Sequence, residues 1–211
     1  MYNLTFMEAV LGAPFLLSLG AGFALGSIPF SVWVARSAGR VDLRHAGSRN
    51  PGAANVWRTV GRRHGILVGA ADAAKGAAAV WIASQLGVPD GLSVWAGAAA
   101  VAGHDFSPLL RLRGGKGGAT TIGTLACFIL PELLAVLVLW AIAGLLDPRR
   151  RFLWSLVALS CAPPLAACAW RTSLPWLGAL SPRPPSVPAA AAILVLLLWV
   201  RVAPGLRQPH V

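Results

Sequence analysis

The stretch GGATTIGTLACFILPELLAVLVLWAIAGLL, residues 117–146, is thirty residues long and carries one charge, Glu132. A membrane-spanning helix needs about 20 mostly apolar residues, with a range of about 17–25. The run is too long for one ordinary span, and Pro131-Glu132 near its middle divides it into two short helices or two tilted spans. How it is divided decides the fold, because every later connection changes sides of the membrane accordingly.

Upstream, Ala9–Ala35 is free of charge, Ile66–Val88 carries only Asp72 and Lys75, and Gly91–Leu110 carries His104 and Asp105 near its end. Downstream, Phe152–Trp170 contains Pro163-Pro164, and Val187–Ala203 is the last apolar run. With the division at Pro131 the count is seven. Charge asymmetry favours that count. With the N-terminus outside, fifteen Lys and Arg fall on the cytoplasmic side and two outside, whereas a single span over 117–146 would reduce this to twelve against five. The expected fold is thus an all-α integral membrane protein of about seven transmembrane helices, N-terminus outside and C-terminus cytoplasmic, forming a single multi-pass domain over 1–211. The first segment has Glu8 and no Lys or Arg before it, so it reads as a span and not as a cleavable leader.

Composition agrees. The chain has 211 residues, 56% hydrophobic and 12% charged, with a mean hydropathy of +0.68. A soluble domain carries about 25% charge. The net charge of +11 does not indicate nucleic acid, because the cations lie between apolar segments and not along one amphipathic face. Cys127, Cys161 and Cys168 all lie in apolar stretches and read as packing residues, neither a disulfide framework nor a metal site. Ser181–Pro188 reads as a proline-rich external loop.

Two cationic, glycine-rich islands interrupt this pattern, GSRNPGAANVWR at 47–58 and RLRGGKGGAT at 111–120. The predicted topology puts both on the cytoplasmic face. In the first, Asn50-Pro51-Gly52 reads as a turn, and AANVWR opens a short helix whose first N–H groups face it. Ser48, Asn50 and Asn55 offer hydrogen-bonding groups and Arg58 a planar cation, whereas Arg40, Arg62 and Arg63 read as ordinary cytoplasmic charge. In the second, Gly114, Gly115 and Gly117 around Lys116 permit an anion-binding nest, reinforced by the dipole of the helix that follows. It is not a nucleotide P-loop, since Leu110 stands where that pattern needs glycine and Gly117 follows the lysine.

Asp72 and Lys75, three apart on one helix face, are either a structural ion pair or site-lining groups. His104 and Asp105 are adjacent, so they do not face each other as an acid–base relay; His104 is structural or site-lining. Ser27 and Ser31 flank Pro29 at a polar kink whose freed carbonyls could line a polar mouth, although simple helix bending is the plainer account. The chain has no G-x-S-x-G elbow, HExxH or HxxxxD signature. The residues therefore indicate phosphate binding at a membrane surface without an evident nucleophile or general base. An organic-phosphate permease is the alternative, but it would need polar groups at the bilayer midplane, and here they sit near the inner face.

Taken in order, GSIPF (26–30), DLR (42–44), GSRNPGAANVWR (47–58), DAAKG (72–76), GHDF (103–106) and RGGKGGAT (113–120) resemble the bacterial acyl-phosphate:glycerol-3-phosphate acyltransferase family, PlsY. The resemblance covers the first 125 residues or so and implies a seven-helix inner-membrane enzyme. It implies transfer of a fatty acyl group from acyl phosphate, not acyl-CoA or acyl carrier protein, to the 1-hydroxyl of glycerol 3-phosphate, yielding lysophosphatidic acid and phosphate. It implies phosphate-binding roles for Ser48 and Arg58, and matches Asn50, Asn55 and Lys116 to further motif positions. It implies no cofactor and no catalytic side chain, because the donor phosphate itself accepts the hydroxyl proton; partners are the two substrates and membrane lipid, with no nucleic acid. Two positions depart in the first motif, GSGNxGATNVxR: Arg49 replaces a glycine and Ala54 a threonine. Near the C-terminus, Val200–Arg207 (VRVAPGLR) lacks the His and Asn of the family's HxxNIxRL pattern, residues the family uses around the glycerol moiety; His210 lies too far along to match.

Overall fold

The computed structural model describes residues 12–146, and all its regular elements there are helical. They are α1 (Ala13–Ser27), α2 (Phe30–Gly39), α3 (Ala53–Thr59), α4 (Arg62–Gln85), α5 (Asp90–Asp105), a 3₁₀ turn (Pro108–Leu110) and α6 (Gly118–Leu146). The chain divides after Thr124 into two compact units. The runs expected at 152–170 and 187–203, Cys161, Cys168 and the VRVAPGLR stretch lie outside the described residues.

In the first unit α1, α4 and α5 pack against one another, with α2 and α3 against α4. The α1–α5 contact is made by small residues. Gly22 and Gly26, one helical repeat of four apart, face the carbonyls of Ala96 and Ala100, and a Cβ at either glycine would overlap that backbone. Gly103 on α5 faces the Phe23 carbonyl in the same way. Between membrane helices there is no hydrophobic driving force, so close backbone approach of this kind supplies the packing energy. Phe15, Ala79, Ala83, Val88, Leu92, Ala96 and Ala100 form the adjoining core. Leu16, Leu17, Ile66, Leu67 and Trp81 point outward, Trp81 with 62% exposure. Such a surface suits hydrocarbon and would aggregate in water. By length and composition, Ala13–Gly39 and Arg62–Gln85 are each able to cross a membrane.

The first apolar run is broken where expected. Pro29 has no N–H and forces the preceding residue extended, and Ile28 has φ −64° and ψ 118°. Helix α4 starts at Arg62 and ends at Gln85, some residues N-terminal to the expected Ile66–Val88 run. In α6 the backbone leaves helical geometry at Ile129 (φ −133°, ψ 41°), two residues before Pro131. A proline disturbs the turn preceding it, where its ring meets the carbonyl four residues back. The division expected at Pro131-Glu132 is therefore an interruption displaced toward the N-terminus. In the second unit Leu125, Ile129 and Leu133 are buried.

Arg49 sits in the left-handed region at φ 57°. That conformation explains why the family pattern carries glycine there, since an L-residue pays roughly 1–2 kcal/mol for it. Arg49→Gly should thus raise the unfolding free energy in detergent by up to about 1 kcal/mol. Gly26→Ala should lower it by about 1–3 kcal/mol through overpacking. Gly20→Ala, where nothing lies within 4 Å, should be neutral or slightly stabilising; equal midpoints for the two alanine variants would remove the close-approach account.

Candidate active site

The first island is built around Asn55. Its side chain is buried, and Oδ1 accepts the Ser48 amide at 3.0 Å while Nδ2 donates to the carbonyls of Ala46 at 3.0 Å and Leu43 at 3.3 Å. Both donors and the oxygen are thus engaged within the loop, so Asn55 shapes the island. Leu43 lies beneath it with Ala35, Val56 and Val68. Just before the island, Asp42 accepts bonds from the Arg44 amide at 3.0 Å and from its Nε and Nη2 at 3.1 Å, and lies 3.2 Å from His45 Nδ1. These Arg44 bonds hold the Asp42 carboxyl well below the usual carboxylate range. The expected short helix forms as α3, whose first turn closes with the Gly52 carbonyl accepting the Asn55 and Val56 amides. Ser48 and Arg58 are exposed, and Asn50 is partly buried with its amide nitrogen beside Gly52.

The second island is not an open nest over its whole length. The Gly114 amide donates to the Asp105 carbonyl at 3.0 Å and the Gly115 amide to the His104 carbonyl at 3.1 Å. The reason is that the last carbonyls of a helix have no partner within it and must find donors elsewhere. Both glycines are required by space: a Cβ on Gly114 would overlap the His104 carbonyl, and one on Gly115 would overlap His104 Nε2 and stand 2.9 Å from the Pro51 carbonyl. Gly117 turns the chain at φ 68°, and its carbonyl accepts the Thr121 amide at 2.8 Å as α6 begins. Lys116 between them is half-buried. Burial pushes its pKa down from 10.5, and the Arg58 guanidinium pushes it further. The two islands, separated by α4 and α5 in sequence, therefore meet: Gly115 against Pro51, and Lys116 in the field of Arg58.

Beneath them lies an ionic cluster. Lys75 Nζ stands 2.9 Å from Asp72 Oδ1, 2.8 Å from His104 Nδ1 and 3.2 Å from the Ile28 carbonyl it donates to. His104 Nδ1 is 3.6 Å from Asp72 Oδ1. Asp72, Lys75 and His104 are buried, and Ser27 beside them back-bonds the Phe23 carbonyl at 2.8 Å. The carbonyls freed by Pro29 are thus occupied: Ile28 by Lys75, and Ser27 by the Ser107 hydroxyl at 2.6 Å. A narrow pocket opens among Ser27, Ser31, Pro51, His104, Ser107 and Gly115. Ser107 and Pro51 carry no sequence signal as site residues, one being a lone serine after GHDF and the other a turn proline that contributes only its carbonyl. Among the described residues, no group of three or more His, Cys, Asp and Glu is placed to hold a metal ion.

Comparison with known proteins gives the same direction. The family described as "Glycerol-3-phosphate acyltransferase" matches residues 16–207. A glycerol-3-phosphate acyltransferase of Aromatoleum aromaticum is 40% identical over 194 residues, covering 92% of each chain. Two crystal structures of PlsY, an integral membrane glycerol 3-phosphate acyltransferase, superpose with comparable quality. The glycerol 3-phosphate form has a TM-score of 0.78 at 30% identity, covering 91% of this chain and 90% of that one. The lysophosphatidic acid form has a TM-score of 0.77 at 28% identity, covering 91% and 89%. With the match running over nearly its whole length, the chain belongs to the glycerol-3-phosphate acyltransferase family.

Proposed function

We propose that this protein transfers a fatty acyl group from acyl phosphate to glycerol 3-phosphate, releasing lysophosphatidic acid and inorganic phosphate. The supporting observation is the meeting of the two islands, which brings Lys116 into the field of Arg58 at a partly buried position. The two cations repel, and a phosphate bound by both turns that repulsion into attraction. Both substrates carry phosphate, and the acyl chain can stay in lipid while the headgroup reaches the islands. In the step itself, the glycerol hydroxyl oxygen bonds to the acyl carbon, the bond from that carbon to the phosphate oxygen breaks, and the departing phosphate takes the hydroxyl proton. The mixed anhydride is already activated, so positioning and charge stabilisation by Ser48, Arg58 and Lys116 carry the catalysis.

The charge asymmetry of the sequence supports the finer reading of a single seven-span domain in the bacterial inner membrane, N-terminus outside, with the site at the cytoplasmic face. One observation favours a second reading, in which the acceptor differs from glycerol 3-phosphate: VRVAPGLR lacks the His and Asn of the family pattern. Purified protein given acyl phosphate should release phosphate in proportion to added glycerol 3-phosphate; release indifferent to it would favour the second reading.

Lys116→Ala and Arg58→Ala should each lower kcat/KM by about 100-fold or more, as loss of a transition-state charge contact does. Arg63→Ala, on the loop side of α4, should leave it near the parent value. The pH profile should follow Lys116. Its protonated form binds the anion, so kcat/KM should fall as pH rises through a pKa below the ordinary 10.5. Lys116→Arg, which stays charged, should retain activity and lose that alkaline fall; an unchanged profile would separate Lys116 from the phosphate.

A further inference from the structure

The ionic cluster beneath the islands has one unused donor. An ammonium has three N–H groups and accepts nothing. Lys75 has three acceptors around it, Asp72 Oδ1, the Ile28 carbonyl and His104 Nδ1. At 2.8 Å from a group that only donates, His104 Nδ1 must accept. The imidazole is then neutral and carries its proton on Nε2. A ring protonated at Nδ1 would set N–H against N–H at that distance.

The Nε2 edge is turned to the place where the islands meet. It lies against the Cα of Gly115, so closely that a Cβ there would overlap it, with the Pro51 carbonyl beside the same point. No hydrogen bond joins Nε2 to Pro51, and among the described residues the ring is partnered only by Lys75 and Asp72, both through Nδ1. His104 also lines the pocket together with Gly115, Pro51 and Ser107. Nε2 is thus the ring atom available to an oxygen that enters the pocket. The arrangement suits an anion site already holding two mutually repelling cations: a neutral donor adds direction without adding charge.

We infer that the Nε2–H of His104 donates a hydrogen bond to an oxygen of the phosphate-bearing headgroup held between the islands, with Lys75 and Asp72 as positioning residues that fix the ring's tautomer. This inference rests on the islands binding phosphate and goes beyond it in assigning a neutral donor from a third element of the chain.

The test uses the full chain in lipid nanodiscs with ¹⁵N-labelled histidine, the His104 ring being identified by its absence in His104→Asn. The ring should show the Nε2–H tautomer, and its Nε2 resonance should move on adding inorganic phosphate or glycerol 3-phosphate. Lys75→Met should let the other tautomer appear in the same spectra. In turnover, His104→Asn keeps an amide oxygen near the Nδ1 position for Lys75 but removes the outer donor, and should lower kcat/KM roughly 10- to 100-fold. His104→Gln, which can return an N–H near the Nε2 position, should recover most of that loss. An Nε2 resonance unmoved by both ligands at saturation, an Nδ1–H tautomer, or an Asn variant as active as the parent each overturns the inference. Should phosphate move the ring while glycerol 3-phosphate supports no transfer, the acceptor assignment fails and the role of His104 stands.

Discussion

Three polar contacts of Lys75, an ion pair and two hydrogen-bonding contacts, hold this structure together at its working end. Each goes to a different part of the chain: Asp72 on its own helix, the carbonyl freed at the α1–α2 break, and His104 at the end of α5. In an interior without water, the Lys75 charge cannot go without a partner. The Ile28 carbonyl at the proline break, which also accepts the Phe30 amide at 3.2 Å, gives that charge an acceptor, and α4 is thereby located relative to α1 and α5. Removing one member of such a buried pair costs about 3–5 kcal/mol, since it strands the other.

Around that hub the packing is set by what is missing from side chains. Gly22, Gly26 and Gly103 let α1 and α5 touch backbone to backbone, and Gly76 and Gly123 do the same between α4 and the first turns of α6 at Thr120 and Ala73. The hydroxyls in these helices are mostly turned on their own backbone, as with Ser18 to Phe15, Ser93 to Asp90 and Thr124 to Thr120. Close approach and internal satisfaction together leave most of the charge to the loops. The islands then need only Gly114 and Gly115 to lock onto α5 for Lys116 to come within the field of Arg58.

Much of this is legible in the sequence because it is local. Apolar length marks the helices, Pro29 marks the break, and the spacing of Asp72 and Lys75 puts them on one face. The glycine-flanked cations mark the islands. What is not legible depends on residues far apart in the chain. Nothing in the sequence says that Lys75 meets His104, 29 residues away. The identity of Asn55 suggests a ligand, whereas its burial reserves all three polar contacts for the loop. Likewise GGKG looks like an anion nest until the unsatisfied carbonyls at the end of α5 are counted, and then two of its amides are already assigned. The interruption at Ile129 shows the same limit on a shorter scale, since the proline is visible but the turn that gives way is the one before it.

The pairing of Asp72 with Lys75 within a single helix also bears on how the protein enters its membrane. A charge crossing lipid alone costs roughly 2.5–3.5 kcal/mol on the insertion scale. Here α4 brings both signs, one turn apart and 2.9 Å from each other. The helix carries its own counter-charge, whatever its neighbours. The same carboxylate that anchors the hub thus also lowers the cost of placing the lysine in lipid, and that saving does not depend on the site being assembled.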